Sequence, residues 1–175
     1  FNYPREVDYG SAAALMVSRK LWEQLGGFDE DFAPAYYEDT DLCFAIRSLG
    51  HRVMYQPLAV VTHFEGVSHG IDTGVGIKAY QVWNKRRFAD KWQQVLSQHR
   101  SNGVEPMLER DRPARARILW IEACMLTPDQ DSGSLRTIRL LRILVRMGCK
   151  VTYVADNLDG EEQYRSQLSR EGVEV

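Results

Sequence analysis

The sequence predicts an α/β protein in two parts: a mixed sheet with helices over residues 1–100, and a Rossmann-like βαβαβ unit over residues 117–175. Three observations predict this. Short apolar runs suited to strands alternate with segments whose apolar residues recur at helical spacing. Between residues 101 and 116 that periodicity fails, and Ser101-Asn102-Gly103, Pro106, Pro113 and mixed charges read as a solvated linker. After it, the order strand, helix, strand, helix, strand is the opening of a doubly wound parallel sheet.

Residues 11–17 read as a buried strand, and Ser18 then N-caps a helix over 19–25 that Gly26-Gly27 closes. A loop follows to Tyr37. Leu42, Ala45, Ile46 and Leu49 fall at i, i+3, i+4 and i+7, so 40–49 is expected to be an amphipathic helix with Gly50 as its stop and Asp39 at its mouth. Residues 52–55 and 58–62 read as two short strands broken by Pro57, with His63 at the end of the second. Residues 77–98 are helical in pattern, and Tyr80, Trp83, Phe88, Trp92 and Leu96 form a broad apolar face assigned to core packing. In the second part, 117–125 reads as a strand and Asp131-Ser132-Gly133-Ser134 as a turn. A helix is expected over 135–147 with Leu140, Leu141, Leu144 and Val145 inward, then a strand over 150–155, a helix over 161–170 and a third strand from Val173.

A chain of 175 residues that is 44% hydrophobic and 26% charged can bury a core and lies outside disordered compositions. Its net charge of −2 disfavours a polycation gripping phosphates, so no nucleic-acid partner is expected. The longest apolar run, residues 12–17, is far shorter than the roughly 20 residues of a membrane span. Cys43, Cys124 and Cys149 form an odd set without metal-ligand spacing and read as reduced thiols of a cytoplasmic protein. The chain starts at Phe1 and ends on what reads as the beginning of a strand, so a piece of a longer polypeptide is expected.

Charge is uneven: residues 21–46 hold seven acidic side chains and no Lys or Arg, whereas residues 85–117 hold nine basic against four acidic. Within the acidic region Tyr36-Tyr37-Glu38-Asp39-Thr40-Asp41 is the densest signal. Adjacent carboxylates at a helix start can be held ionised by backbone N–H groups and the helix dipole, and crowding by further acids opposes this, a setting suited to taking a proton from a hydroxyl. From spacing alone the plainer assignment is favoured, with Asp39 capping the helix and Asp41 complementing its dipole. His63 and His69 flank Phe64-Glu65-Gly66-Val67-Ser68, and without a second ligand at helical spacing His63 reads from the residues as structural.

Gly10-Ser11-Ala12-Ala13-Ala14-Leu15-Met16-Val17, Gly26-Gly27-Phe28-Asp29-Glu30, Tyr37-Glu38-Asp39-Thr40-Asp41-Leu42-Cys43 and His63-Phe64-Glu65-Gly66-Val67-Ser68 occur in that order. So arranged, residues 1–100 resemble the second half of a family 2 glycosyltransferase with the GT-A fold. The resemblance implies a nucleotide-sugar donor and a glycan or lipid-linked glycan acceptor. It implies Asp39 as the base of an inverting transfer, Glu38 as a residue positioning the acceptor, and Gly10, Ser11 and Ala12 as lining of the sugar pocket. Asp41 is counted with the substrate-binding residues, at the helix start and the loop before it. It further implies a divalent metal, Mn²⁺ or Mg²⁺, with His63 as one ligand and an upstream Asp-x-Asp, absent from this sequence, as the main one. By itself the chain is therefore expected neither to bind a sugar nucleotide tightly nor to turn it over. Trp83, Asn84, Arg87, Phe88 and Trp92 resemble the closing helix of the same domain and are assigned to packing.

Pro128-Asp129-Gln130-Asp131-Ser132-Gly133-Ser134-Leu135-Arg136, followed by a helix and Met147-Gly148-Cys149-Lys150-Val151-Thr152-Tyr153-Val154, resembles the first βαβ of a family 4 glycosyltransferase of the GT-B fold. The resemblance implies Gly133 as the point of closest approach to a phosphate or acceptor. The combined expectation is a fragment of a tandem glycosyltransferase of surface polysaccharide synthesis, cytoplasmic or at the inner face of the membrane. There the basic residues 85–117 would supply a peripheral membrane contact if they are not simply a solvated face. The alternative is a non-catalytic α/β glycan-binding or protein-interaction module.

Overall fold

The computed structural model describes residues 3–64 and 76–175. Residues 65–68 of the last family 2 motif, and His69, lie outside them. The chain is mixed α/β and divides into two compact units. The first is Glu6–Arg100; the second is Ser101–Val175 together with the chain start up to Arg5. Among the described residues no helix is long and apolar enough to cross a membrane.

Strand β1 (Arg5–Glu6) leads into the first unit, where helix α1 (Arg19–Leu25) has both expected ends. The Ser18 hydroxyl accepts the Leu21 N–H at 3.3 Å, and Gly26 terminates the helix at φ +80°, a conformation that a side chain would strain. Helix α2 (Glu38–Ser48) is packed from two sides. Leu42, Cys43 and Ile46 meet Val53 and the α1 residues Leu21, Trp22 and Leu25. Phe44 meets Phe32 and Phe88, with Trp92, Val95 and Leu96 around them. Strand β2 (Met54–Tyr55) follows, and beside it Val7 N–H donates to the Val53 carbonyl at 2.9 Å.

Four expectations for this unit are corrected. Residues 11–17 do not form a strand: Ala12–Ala14 make an exposed 3-10 turn, because the Ser11 hydroxyl accepts the Ala13 N–H and closes the chain locally. No strand forms over 58–62 either. There Ala59 N–H returns to the Gln56 carbonyl and Leu58 N–H to the Gln56 side chain, while Leu58, Val60 and Val61 stay exposed. The single helix expected over 77–98 is instead α3 (Tyr80–Lys91) and α4 (Gln93–Leu96), parted at Trp92. Of its aromatic face, Phe88 is buried, but Tyr80 and Trp83 are exposed.

In the second unit, residues 101–116 are not a bare linker. They contain α5 (Pro106–Arg110), and Asp111 beside it is buried in ion pairs with Arg110 at 2.7 Å and Arg117 at 3.0 Å. Strand β3 (Ala116–Glu122) runs parallel to β4 (Cys149–Ala155), in register from Ala116 opposite Cys149 to Glu122 opposite Ala155. The expected third strand is reduced to a parallel bridge between Thr152 and Glu174. Helices α6 (Ser132–Arg146) and α7 (Glu162–Arg170) pack against the sheet through Ile138, Leu141, Tyr164 and Leu168, which surround Val151, Tyr153 and Ala155.

Helix α6 begins three residues earlier than expected because Asp131, not the small residues after it, is the N-cap, accepting the Ser134 N–H at 2.7 Å. Leu140 was expected inward and is exposed. The buried stripe runs through Ser134, Ile138 and Leu141, which leaves Leu140 on the flank. The two leucines therefore separate in a stability measurement. Leu141→Ala is expected to cost about 2–5 kcal/mol and Leu140→Ala under about 1 kcal/mol, read from urea unfolding of the chain.

Candidate active site

The acidic loop reaches α2 through two residues with left-handed backbone. Tyr36 (φ 75°) and Tyr37 (φ 74°) turn the chain so that Glu38, Asp39 and Asp41 occupy the first turn. Tyr37 is the N-cap and supplies no side-chain cap, so Asp39 does not cap the helix. Its carboxylate instead reaches across the unit: Oδ2 accepts the Ala12 N–H at 3.0 Å, and Oδ1 accepts the Thr40 N–H at 2.7 Å and the Thr40 hydroxyl at 3.2 Å. Asp39 is half-buried, and a carboxylate has room for about four hydrogen bonds, so Oδ2 keeps a free lone pair.

The structure thus brings together Asp39 and the small-residue segment that the sequence selects. Gly10 is pinned from the other side, its N–H 3.5 Å and its carbonyl 3.7 Å from the Cys43 sulfur. Cys43 is fully buried in the core beside Leu42 and Ile46, and burial pushes its thiol up from its ordinary value. Ser11 and Ala12 are exposed beside the Asp39 carboxylate. Glu38 is half-buried, and its Oε2 is covered without a hydrogen-bond partner.

Asp41 is tied to α3 and the residue that ends it. It is 3% exposed, its Oδ1 accepts the Trp92 indole N–H at 2.7 Å, and its Oδ2 accepts from Lys91 at 2.8 Å. Lys91 also donates to Asp29 at 2.6 Å and holds that carboxyl below its usual range. Both Asp41 oxygens are therefore spent on α3 and its end. A cleft of about 400 Å³ opens on this cluster, lined by Gly26, Gly27, Phe28, Asp29, Asp41 and Lys91 among others; Asp39 is not among its lining residues.

His63 is exposed, and among the described residues it joins no group of three metal-ligand side chains. One imidazole alone does not hold a divalent ion, which needs further oxygen or nitrogen ligands. Gly133 lies in the second unit, inside the first turn of α6. The Asp131 carboxylate occupies that helix start, with Oδ1 only 3.0 Å from where a Cβ on Gly133 would sit. Hydrogen bonding at Ser134 holds Asp131 below the usual carboxylate range. A resident anion there opposes the expected approach of a phosphate.

Sequence reasoning assigned Asn84 and Arg87 to packing, yet both bind the backbone of the acidic loop: Asn84 at Phe32, Ala35 and Tyr36, and Arg87 at Asp31. The signal that could have found them is their spacing with Lys91 and Trp92, which puts four polar groups on one face of a helix.

No family model matches the chain, and no solved structure matches it. Three curated relatives share part of it. The N-acetylglucosaminyl-diphospho-decaprenol L-rhamnosyltransferase of Mycobacterium tuberculosis is 36% identical over 76 residues, 43% of this chain and 24% of the relative. The pre-mycofactocin glycosyltransferase of the same species is 37% identical over 57 residues, 33% of this chain and 12% of the relative. An uncharacterised protein, y4gI, of Sinorhizobium fredii is 32% identical over 60 residues, 34% of this chain and 7% of its own length. The likeness is to glycosyltransferases. It is distant and partial, the chain spanning less than a quarter of each of these relatives, and nothing in it supports the family 4, GT-B resemblance of the second segment.

Proposed function

We propose that the first unit is the acceptor side of a family 2, GT-A-type glycosyltransferase active site, with Asp39 as its base. An acceptor hydroxyl attacks the anomeric carbon of a nucleotide-sugar; the new C–O bond forms on the face opposite the bond that breaks. The hydroxyl proton passes to Asp39 Oδ2, and the nucleoside diphosphate departs with the bonding electron pair, so the anomeric centre inverts. The observation that carries this reading is the placement of Asp39. It stands half-buried at the start of α2, accepting the N–H of Ala12 beside exposed Ser11, with a lone pair to spare. Glu38 beside it is half-buried on the same first turn, where it would position the acceptor. The partial likeness to two named glycosyltransferases supports the same reaction class.

On this reading the acceptor is a glycan or a lipid-linked glycan, and surface polysaccharide assembly is the setting. No activity is assigned to the second unit, whose α6 start is filled by Asp131. The test is transfer of labelled sugar from a panel of nucleotide-sugars by the natural polypeptide that carries these residues, wild type against Asp39→Asn. Transfer that depends on Asp39 supports the proposal. Glycan binding without transfer in either protein favours the non-catalytic module.

A further inference from the structure

Asn84 is fully buried on α3, and its side-chain amide lies 2.8 Å from the Phe32 carbonyl, 2.9 Å from that of Ala35 and 3.0 Å from that of Tyr36. Its own Oδ1 is covered and has no donor. Mere satisfaction of a buried amide would not select this arrangement, because an orphaned acceptor costs about 1–3 kcal/mol. What the amide achieves lies in the backbone that it gathers. Three carbonyls, 48 to 52 residues away in sequence, are drawn around one nitrogen, and the chain between them and α2 is forced through Tyr36 and Tyr37 at φ 75° and 74°. A bulky residue in that region costs on the order of 1–3 kcal/mol and persists only where its surroundings over-determine it; two in succession need an external hold. The Tyr37 ring, 5.4 Å from that of Phe88 one turn along α3, is the second point of that hold.

We propose that Asn84 is a positioning residue for Asp39. By fixing the carbonyls of Phe32, Ala35 and Tyr36 it sets the two left-handed residues from which α2 departs. It thereby aims the first-turn carboxylate at the Gly10-Ser11-Ala12 segment. The inference rests on Asp39 being the proton acceptor, and it adds that the geometry of this base is dictated from α3 by a group that never touches substrate.

The experiment is a double-mutant comparison in the natural polypeptide, with kcat and donor KM measured for Asn84→Ala, Asp39→Asn and the pair. Misplacing a reacting group by about 1 Å can cost 10²-fold, so Asn84→Ala is expected to lower kcat about 10- to 100-fold with donor KM changed less than about threefold. In the Asp39→Asn background the same substitution is expected to change kcat less than about twofold, because the group it positions is gone. A merely structural role, which lowers the folded fraction, reduces turnover by one factor in both backgrounds and overturns the proposal. So does unchanged kcat on Asn84→Ala. Should that variant not fold, Asn84→Ser, which retains one donor, carries the same comparison. Unchanged turnover on Asp39→Asn alone overturns the assignment of the base and this inference with it, whereas a large Asp39→Asn loss with equal Asn84 losses in both backgrounds overturns the inference alone.

Discussion

Asp39→Asn is expected to lower kcat about 10²- to 10⁴-fold while the affinity for the nucleotide-sugar changes less than about threefold. The amide matches the carboxylate in shape, and its oxygen can still accept the Ala12 N–H that Asp39 Oδ2 accepts at 3.0 Å, so the segment carrying Gly10 and Ser11 stays in place at the loss of the bond from the Thr40 N–H. What is lost is the capacity to take a proton. Because that capacity is used only as the acceptor oxygen attacks, the loss appears in kcat and not in donor binding. A kcat within about threefold of wild type assigns the carboxylate to structure, as a tie between the small-residue turn and α2.

Asp41→Ala is expected to destabilise the first unit by about 2–4 kcal/mol while leaving the exposed surface unaltered. Asp41 is 3% exposed and receives both the Trp92 indole N–H and the Lys91 ammonium. Removing it strands the indole donor and leaves Lys91 with Asp29 alone, and unpaired buried partners are where large losses arise. Lys91 is 39% exposed on its side chain, which keeps the expected loss below that of a fully buried pair. Asp41→Asn retains an acceptor for Trp92 and should lose less. The cluster also sets an acid limit. Lys91 holds Asp29 below the usual carboxylate value, so the stabilisation from this pair is present above that value and disappears as pH falls through the lowered one. Urea midpoints of the wild-type and Asp41→Ala chains, at neutral pH and near about pH 3, measure both effects. A variant as stable as wild type at neutral pH contradicts the assignment of Asp41 as the clamp.

What the sequence discloses and what it hides follow one physical division. Helix α1 is legible at both ends because Ser18 and Gly26 act locally, through a hydroxyl on the Leu21 N–H and a left-handed backbone. Strands β3 and β4 are legible because the helices between and after them bring a partner into register. Residues 11–17 and 58–62 carry equally apolar runs, yet a strand exists only beside another strand, and local turns at Ser11 and Gln56 take up the backbone groups instead. Trp83 and Leu140 show the same division for packing: composition marks them as core residues, but the face that a helix buries is decided by what lies across from it. In the candidate site, Asp39 and Gly10-Ser11-Ala12 were selected by family resemblance, and spacing alone favoured a helix cap. The clamp on Asp41 could not be read, because Trp92 lies 51 residues away and only tertiary structure makes them neighbours.

The central claim is that the Asp39 carboxylate takes the proton of an acceptor hydroxyl, and the most direct measurement is a distance. In a crystal structure of the natural polypeptide with nucleoside diphosphate and an acceptor saccharide, the attacking hydroxyl is expected within about 2.6–3.2 Å of Asp39 Oδ2. An acceptor seated with every hydroxyl well beyond hydrogen-bond reach of Asp39, and no water between them, contradicts the claim.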